Sequence, residues 1–345
     1  MSPTDALEHL VGLQAQNPWS PYHALHARLA AFDPAVLSAM VERREAVRMV
    51  LMRGTIHLVL ARDAAALRPV VQPVLDRELF ATRTWGAGVR GVDLEPVLAL
   101  GRTLVEAEPR SMQSLRGEIA SRWPELDAGS LAYAIRNLLP TIQATPRGLW
   151  GRSGGVQLTT LQAWTGLEPD SEPDLGAAIR RYLRAFGPAA VADAAAWSRL
   201  TGLREAFETL RPGLRTFRDE RGRELFDVED APILTGDEEA PVRFLPDYDN
   251  ALLSHEDRSR IVPWLDWPKL GDNVTAPVFL VDGFVAGIWK PAGKGRDTAI
   301  ELRPMVAIEP RDRAAIEAEA GGLLAMIEPA ADRERITWWR EGGGA

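Results

Sequence analysis

Cysteine is absent from the 345-residue chain. That absence excludes disulfides, a cysteine nucleophile and thiolate metal sites, and it is compatible with a cytoplasmic protein. No apolar run reaches the roughly 18 residues a spanning helix needs, so no membrane partner is expected. No basic region followed by an apolar core opens the chain, so no signal peptide is expected. The GxGxxG spacing at Gly86, Gly88 and Gly91 follows the expected helix Arg62–Phe80 rather than a strand, and there is no P-loop, so a nucleotide cofactor is not expected. The five histidines (His9, His23, His26, His57, His255) show no ligand spacing with acids. His23 and His26 lie three apart on one expected helix but lack a third ligand, so neither metal nor cofactor is expected. Lysine is scarce too: Lys269, Lys290 and Lys294 are the only three. Every other base is arginine, which with abundant Ala, Gly and Pro reads as GC-rich coding rather than function.

The formal net charge of −8 argues against a nucleic-acid partner, but its distribution weakens the argument. Asp219–Glu239 alone carries −7, leaving about −1 elsewhere, and Ala128–Leu167 holds Arg136, Arg147 and Arg152 with no acid. A domain can therefore present a positive field although the total is negative.

Hydrophobic periodicity places helices at Asp5–Leu13, Pro21–Ala31 and Pro34–Arg44. Strands follow at Ala46–Met52 and Thr55–Leu60, joined at Arg53-Gly54. Helices followed by a hairpin are the order of a winged helix-turn-helix. After a helix over Arg62–Phe80 the order returns. Leu94–Glu108, Ser114–Arg122 and Gly129–Leu139 precede strands Thr141–Thr145 and Val156–Thr160. Leu175–Ala185, Pro188–Trp197 and Arg204–Leu210 precede strands Leu214–Arg218 and Arg223–Val228. Three such rounds form an architectural repeat. The remainder reads as strands Val242–Leu245, Thr275–Val281, Val285–Trp289 and Thr298–Val306, then a helix over Arg311–Met326. A glycine-rich tail from Glu341 is expected to be disordered. The fold class expected is α+β: three tandem winged helix-turn-helix motifs plus a β-rich C-terminal region. The divisions fall at residues 1–100, 101–172, 173–235 and 236–340.

Two places carry candidate chemistry. Gln14-Ala15-Gln16 ends an apolar run just before the breaker Asn17-Pro18, so both amides are expected at a helix end, turned toward one cavity. Each offers donors and an acceptor without charge; the plainer reading is of ordinary helix-end glutamines bonded to nearby backbone. The hairpin loops carry the rest: Arg53 and His57 at the first, near Arg48, and Arg147, Trp150 and Arg152 at the second. Arginine beside an aromatic in a glycine-rich loop suits phosphate contact or insertion at a distorted base step. Lys290, Lys294 and Arg296, on and beside the loop Pro291–Asp297, join the expected DNA contacts. Taken singly, each of these is more often a solvated cation. Asp247 and Asp249 in LPDYDN can be an acid–base pair, but turn capping is the commoner role of such a run.

LVGLQAQNPWSPYHALHARL, RGTIHLV, YLRAFGPAAVADAAAWSRL, LPDYDNALLSHEDRSRIV and VFLVDGFVAGIWK together resemble the winged-helix DNA glycosylases of the AlkZ/YcaQ type, over nearly the whole chain. The resemblance implies three tandem winged helices around a concave DNA-binding cleft. It also implies excision of N-alkylated purines, including N7-alkylguanine and some interstrand crosslinks. The catalytic motif implied is Gln-x-Gln in the AlkZ-like branch and Gln-x-Asp in the YcaQ-like branch; here it falls on Gln14-Ala15-Gln16, which points to the AlkZ-like branch and makes Gln14 and Gln16 the catalytic pair implied. Family members usually carry a further helix ahead of this motif, where this chain has 13 residues, so either a start upstream of Met1 or a less enclosed cleft is expected. Double-stranded DNA with alkylated purines is the partner implied, no cofactor is needed, and a cytoplasmic, nucleoid-associated monomer is expected. Self-resistance to a genotoxin is one setting for such an enzyme. A non-catalytic winged-helix DNA-binding protein or regulator is the competing reading.

Overall fold

The computed structural model describes residues 1–262 and 276–339. The expected glycine-rich tail from Glu341 and the first residue of the strand expected from Thr275 lie outside them.

Helices lead into a two-stranded antiparallel hairpin three times along the chain. The first round comprises helix α1 (Pro3–His9), the two-residue strand β1 (Leu13–Gln14), α2 (Ser20–His26), α3 (Pro34–Glu42) and the hairpin β2 (Ala46–Val50) and β3 (Ile56–Leu60). The long α4 (Ala61–Ala81) and short α5 (Arg83–Val89) follow. In the second round α6 (Glu95–Ala107), α7 (Met112–Arg122) and α8 (Ala128–Leu138) precede β4 (Thr141–Gln143) and β5 (Leu158–Thr160), then α9 (Leu161–Thr165). The third comprises α10 (Leu175–Phe186), α11 (Val191–Ser198), α12 (Leu203–Leu210), β6 (Leu214–Arg218) and β7 (Glu224–Val228). The chain continues with β8 (Arg243–Leu245), α13 (Asn250–Leu253), β9 (Val278–Val281), β10 (Phe284–Ala292), β11 (Ala299–Pro304), α14 (Pro310–Ile327) and β12 (Ile336–Trp338). The architecture is α+β, as expected.

The described chain divides into two compact units, Met1–Pro18 with Ala35–Ala231, and Trp19–Pro34 with Pro232–Ala345. In the first unit the first two hairpins are not separate wings. They merge into one five-stranded sheet ordered β1-β3-β2-β4-β5, because β2 pairs with β4 through Arg48↔Gln143 and Met49↔Ile142. All five residues of β2 and all five of β3 are buried. The apolar residues of this hairpin, of α4 and of the third round share one core that includes Val47, Met49, Val59, Val71, Tyr182 and Phe207. A second core gathers α6, α7 and α8 around Val97, Ile119 and Ile135.

The first expected helix ends earlier than the sequence suggested, and Pro18 is not what stops it. The chain leaves α1 through a Schellman motif: Gly12 donates its N–H to Leu7 O (2.9 Å) and Val11 donates to Glu8 O (3.3 Å). Val11 takes a left-handed φ of 54°, which a β-branched residue rarely adopts. Gly12 follows at φ 87°, and a Cβ there would lie 2.2 Å from Val59 Cγ1. Only glycine lets the backbone come this close to β3, and the close approach lets Leu13 and Gln14 pair with it as β1.

The second unit holds α2 together with the C-terminal sheet, ordered β12-β11-β10-β9-β8. Helix α14 packs its Ile316, Ala320, Leu323 and Leu324 against this sheet's Phe279, Trp289, Ile300 and Leu302. The acids of LPDYDN tie α2 to the sheet. Arg28 grips the buried Asp249 at 2.7 and 2.9 Å, Asp249 also caps α13 by accepting from Ala251 N, and Ser20 Oγ donates to Asp247. Asp249 is therefore a cap and an ion-pair partner, the plainer of its two readings. His23 packs edge-on to Trp289.

Candidate functional site

Gln14 and Gln16 sit at and just beyond the end of edge strand β1, not at a helix end. Gln14 faces His57 in register, and Ala15 continues the ladder by donating to Ile56 O at 2.7 Å. Gln14 is buried and Gln16 is exposed. The Gln14 side-chain oxygen accepts the N–H of Gln16 at 3.2 Å. The Gln16 side-chain oxygen accepts the N–H of Ile56 at 3.3 Å. A backbone N–H can only meet the oxygen of an amide, so these two bonds fix which way each amide points. Neither side-chain NH2 has a hydrogen-bond partner among the described residues. The site thus offers two oriented amide donors, and each oxygen keeps a second lone pair.

The middle of the motif is held from behind. Arg48 on β2 is 2% exposed and reaches past β3 to donate to Ala15 O at 2.7 Å. It also donates to the Gln143 side-chain oxygen, from Nη2 at 3.3 Å and from Nε at 3.4 Å. The loop after β4 closes over it. Gly148, at φ 92°, approaches so closely that a Cβ would stand 2.5 Å from Arg48 Cδ. Arg48 is therefore not on the surface to meet a phosphate. In a strand buried on both faces the alternation rule gives no outward position, and the guanidinium is spent on protein carbonyls.

The first hairpin turn is likewise directed inward. Arg53, at a left-handed φ of 59°, donates to Trp197 O at 2.5 Å, at the end of α11. His57 is 1% exposed. Its Nδ1–H donates to Thr55 O at 3.0 Å, which leaves Nε2 to accept from Arg53 at 3.4 Å. Burial pushes the His57 imidazole down to about 3, and the positive charge of Arg53 acts in the same direction. A neutral, buried imidazole and an arginine committed to a backbone carbonyl do not serve as the phosphate contacts expected of them.

The second loop keeps part of the expected role. Arg147 is half-buried and donates to Gly154 O at 3.1 Å, closing the loop on itself. Trp150 is half-buried, with its N–H bonded to Ser38 Oγ of α3 at 2.8 Å. Arg152 is exposed at the loop tip. In the second unit Lys290 is exposed and paired with Glu301 at 3.0 Å, while Lys294 and Arg296 are exposed around a short turn. Sequence reasoning missed Gln143, Gly148 and the inward role of Arg48. The available signal was one charge flanked by Val47 and Met49 inside an otherwise apolar strand.

The family described as DNA glycosylase AlkZ-like matches residues 7–326. Among solved structures, the Streptomyces sahachiroi DNA glycosylase AlkZ superposes with a TM-score of 0.78 at 19% identity, covering 98% of this chain and 94% of that one. No curated protein sequence matches this chain.

Proposed function

From the premise that the chain belongs to the AlkZ-like DNA glycosylase family, we propose that it hydrolyses the N-glycosidic bond of N-alkylated purines in duplex DNA, with Gln14 and Gln16 as the catalytic pair. The observation that carries this reading is the orientation of the two amides by backbone N–H donors. Preorganised dipoles act on a transition state without reorganising. An N7-alkylated guanine is already cationic, so it departs without being protonated. A water adds to C1′ of the sugar, the C1′–N9 electron pair neutralises the base, and the water's proton passes to solvent. Gln14 and Gln16 hold that water through their remaining lone pairs, and their NH2 groups face the sugar and phosphate oxygens.

The chain acts as a monofunctional enzyme in this reading. No lysine precedes Lys269, so the unit bearing the glutamines has no side-chain amine for a Schiff base. Arg147, Trp150 and Arg152 on the second loop, with Lys290, Lys294 and Arg296 in the second unit, are the DNA contacts proposed. The protein works as a cytoplasmic monomer on alkylation damage, bulky or crosslinking adducts included, and self-resistance to a genotoxin fits that substrate class. The test is incubation with a duplex bearing a single N7-methylguanine, followed by detection of free base and alkali cleavage of the abasic site. Release of base with no strand cut before alkali is expected. A duplex bound but never depurinated would instead favour the non-catalytic DNA-binding protein.

A further inference from the structure

The geometry points to Arg48 as a positioning residue for the glutamine pair, held in place by the loop of the second hairpin; this inference rests on the function proposed above. Gln14 and Gln16 flank Ala15, and the Ala15 carbonyl is the point where Arg48 fixes the backbone between them. Strand β1 has only two paired residues and lies at the sheet edge, so the ladder alone holds it weakly. The Arg48 bond is charge-assisted and lies in a buried setting, where such bonds are strongest. Gln143 takes two of the same guanidinium's N–H groups, which sets the plane of the fork. Gly148 then covers the side chain so closely that any larger residue would push against it. The loop bearing Arg147, Trp150 and Arg152 is thus coupled to the motif through one arginine. Arg48 touches neither base nor sugar; it acts by holding Ala15, and through Ala15 the two amides.

Four variants test this: Arg48→Met, Arg48→Lys, Gln143→Ala and Gly148→Ala. Each is measured by single-turnover base release from an N7-methylguanine duplex, by affinity for the intact duplex, and by amide hydrogen exchange. Arg48→Met is expected to slow the chemical step about 10- to 100-fold with duplex affinity within about threefold, because misplacement of about an ångström is enough to cost that much. Arg48→Lys should recover part of the rate, since an ammonium can reach one carbonyl but not span both. Gln143→Ala and Gly148→Ala should show smaller losses of the same kind. Exchange should quicken at Ala15, Gln16 and Ile56 while Val47–Val50 and Leu58–Leu60 stay protected. Wild-type rates in Arg48→Met overturn the inference, and so does exchange that rises evenly across the hairpin. If Arg48→Met does not fold, the Gln143→Ala and Gly148→Ala rates decide it. If the wild type releases no base, the proposed activity falls while the exchange pattern still judges the role of Arg48.

Discussion

The two glutamines show how a neutral side chain becomes a catalytic candidate: its oxygen is taken by a backbone N–H, and what remains is aimed. Gln14→Ala and Gln16→Ala should each slow base release about 100-fold, the lower end for loss of one preorganised polar group. Duplex affinity should stay within about twofold, since the interactions matter where charge develops. Wild-type rates in both variants would return the pair to a structural role. Gln16→Asp, which carries the acid of the YcaQ-like branch, should remain active. His57 makes the opposite case, a titratable group kept out of the chemistry. Its folded value is pushed down to about 3 from 6.5, so above pH 6.5 neither folded nor unfolded state carries the proton. Below that the unfolded chain binds a proton that the folded chain refuses. Stability should therefore fall as the pH drops from about 6.5 toward 3, at about 1.4 kcal/mol per pH unit from this residue. His23, half-buried and pushed down to about 4 by desolvation, acts with the same sign over a similar window. Urea melts of wild type and His57→Gln between pH 7 and 4.5 measure it. The variant should lose less stability on acidification, and parallel curves would show that the imidazole is charged when folded.

At the scale of elements, two loops that look alike in sequence divide into different roles. Arg53 bonds the end of α11, and Arg152 stands in solvent. Arg53→Ala removes a charge-assisted bond to a carbonyl, about 1.5–3 kcal/mol, and should lower Tm by about 3 to 10 °C. Arg152→Ala should leave Tm unchanged and reduce the salt dependence of DNA binding by about one phosphate. Equal melting temperatures for the two variants would show that the first turn is as free as the second. Elements with strong periodicity and clear turns were legible: α6, α7, α8, α10, α12 and the three hairpins lie within a few residues of where the sequence placed them. What was not legible depends on tertiary partners. Strand β1 exists because β3 lies beside it. Helix α5 has two glycines and no apolar period, and is held by its packing on α4 and α8. The inward turn of Arg48 left one sign, a single charge between Val47 and Met49, which alternation could not resolve in a strand buried on both faces. The merging of two hairpins into one sheet follows from β2 accepting β4 as a neighbour, and no local pattern encodes that.

For the whole molecule the question is how a chain of net charge −8 binds a polyanion. Most of the net negative charge sits in Asp219–Glu239, where Asp219, Glu224 and Asp230 are paired with Arg223, Arg211 and Arg184. Among the cations expected at DNA, Arg48 and Arg53 are bonded to carbonyls of other elements and His57 is neutral, which leaves Arg147, with one donor spent on Gly154 O of its own loop, and Arg152, Lys290, Lys294 and Arg296. Lys290 must also give up Glu301 to reach a phosphate. With about three or four phosphates neutralised, log affinity for undamaged duplex should fall with log salt at a slope of about −3 to −4. Little sequence preference is expected, since phosphate contacts carry no base readout. Arg152 lies in one unit, Lys294 and Arg296 in the other. If both units engage the same duplex, Arg152→Ala and the Lys294→Ala/Arg296→Ala pair should each lower the slope, by about one and about two, and their combination should be additive. A slope unchanged by the second pair would confine the interface to the unit that carries Gln14 and Gln16, and a flat salt response of the wild type would remove phosphate contact as the basis of binding.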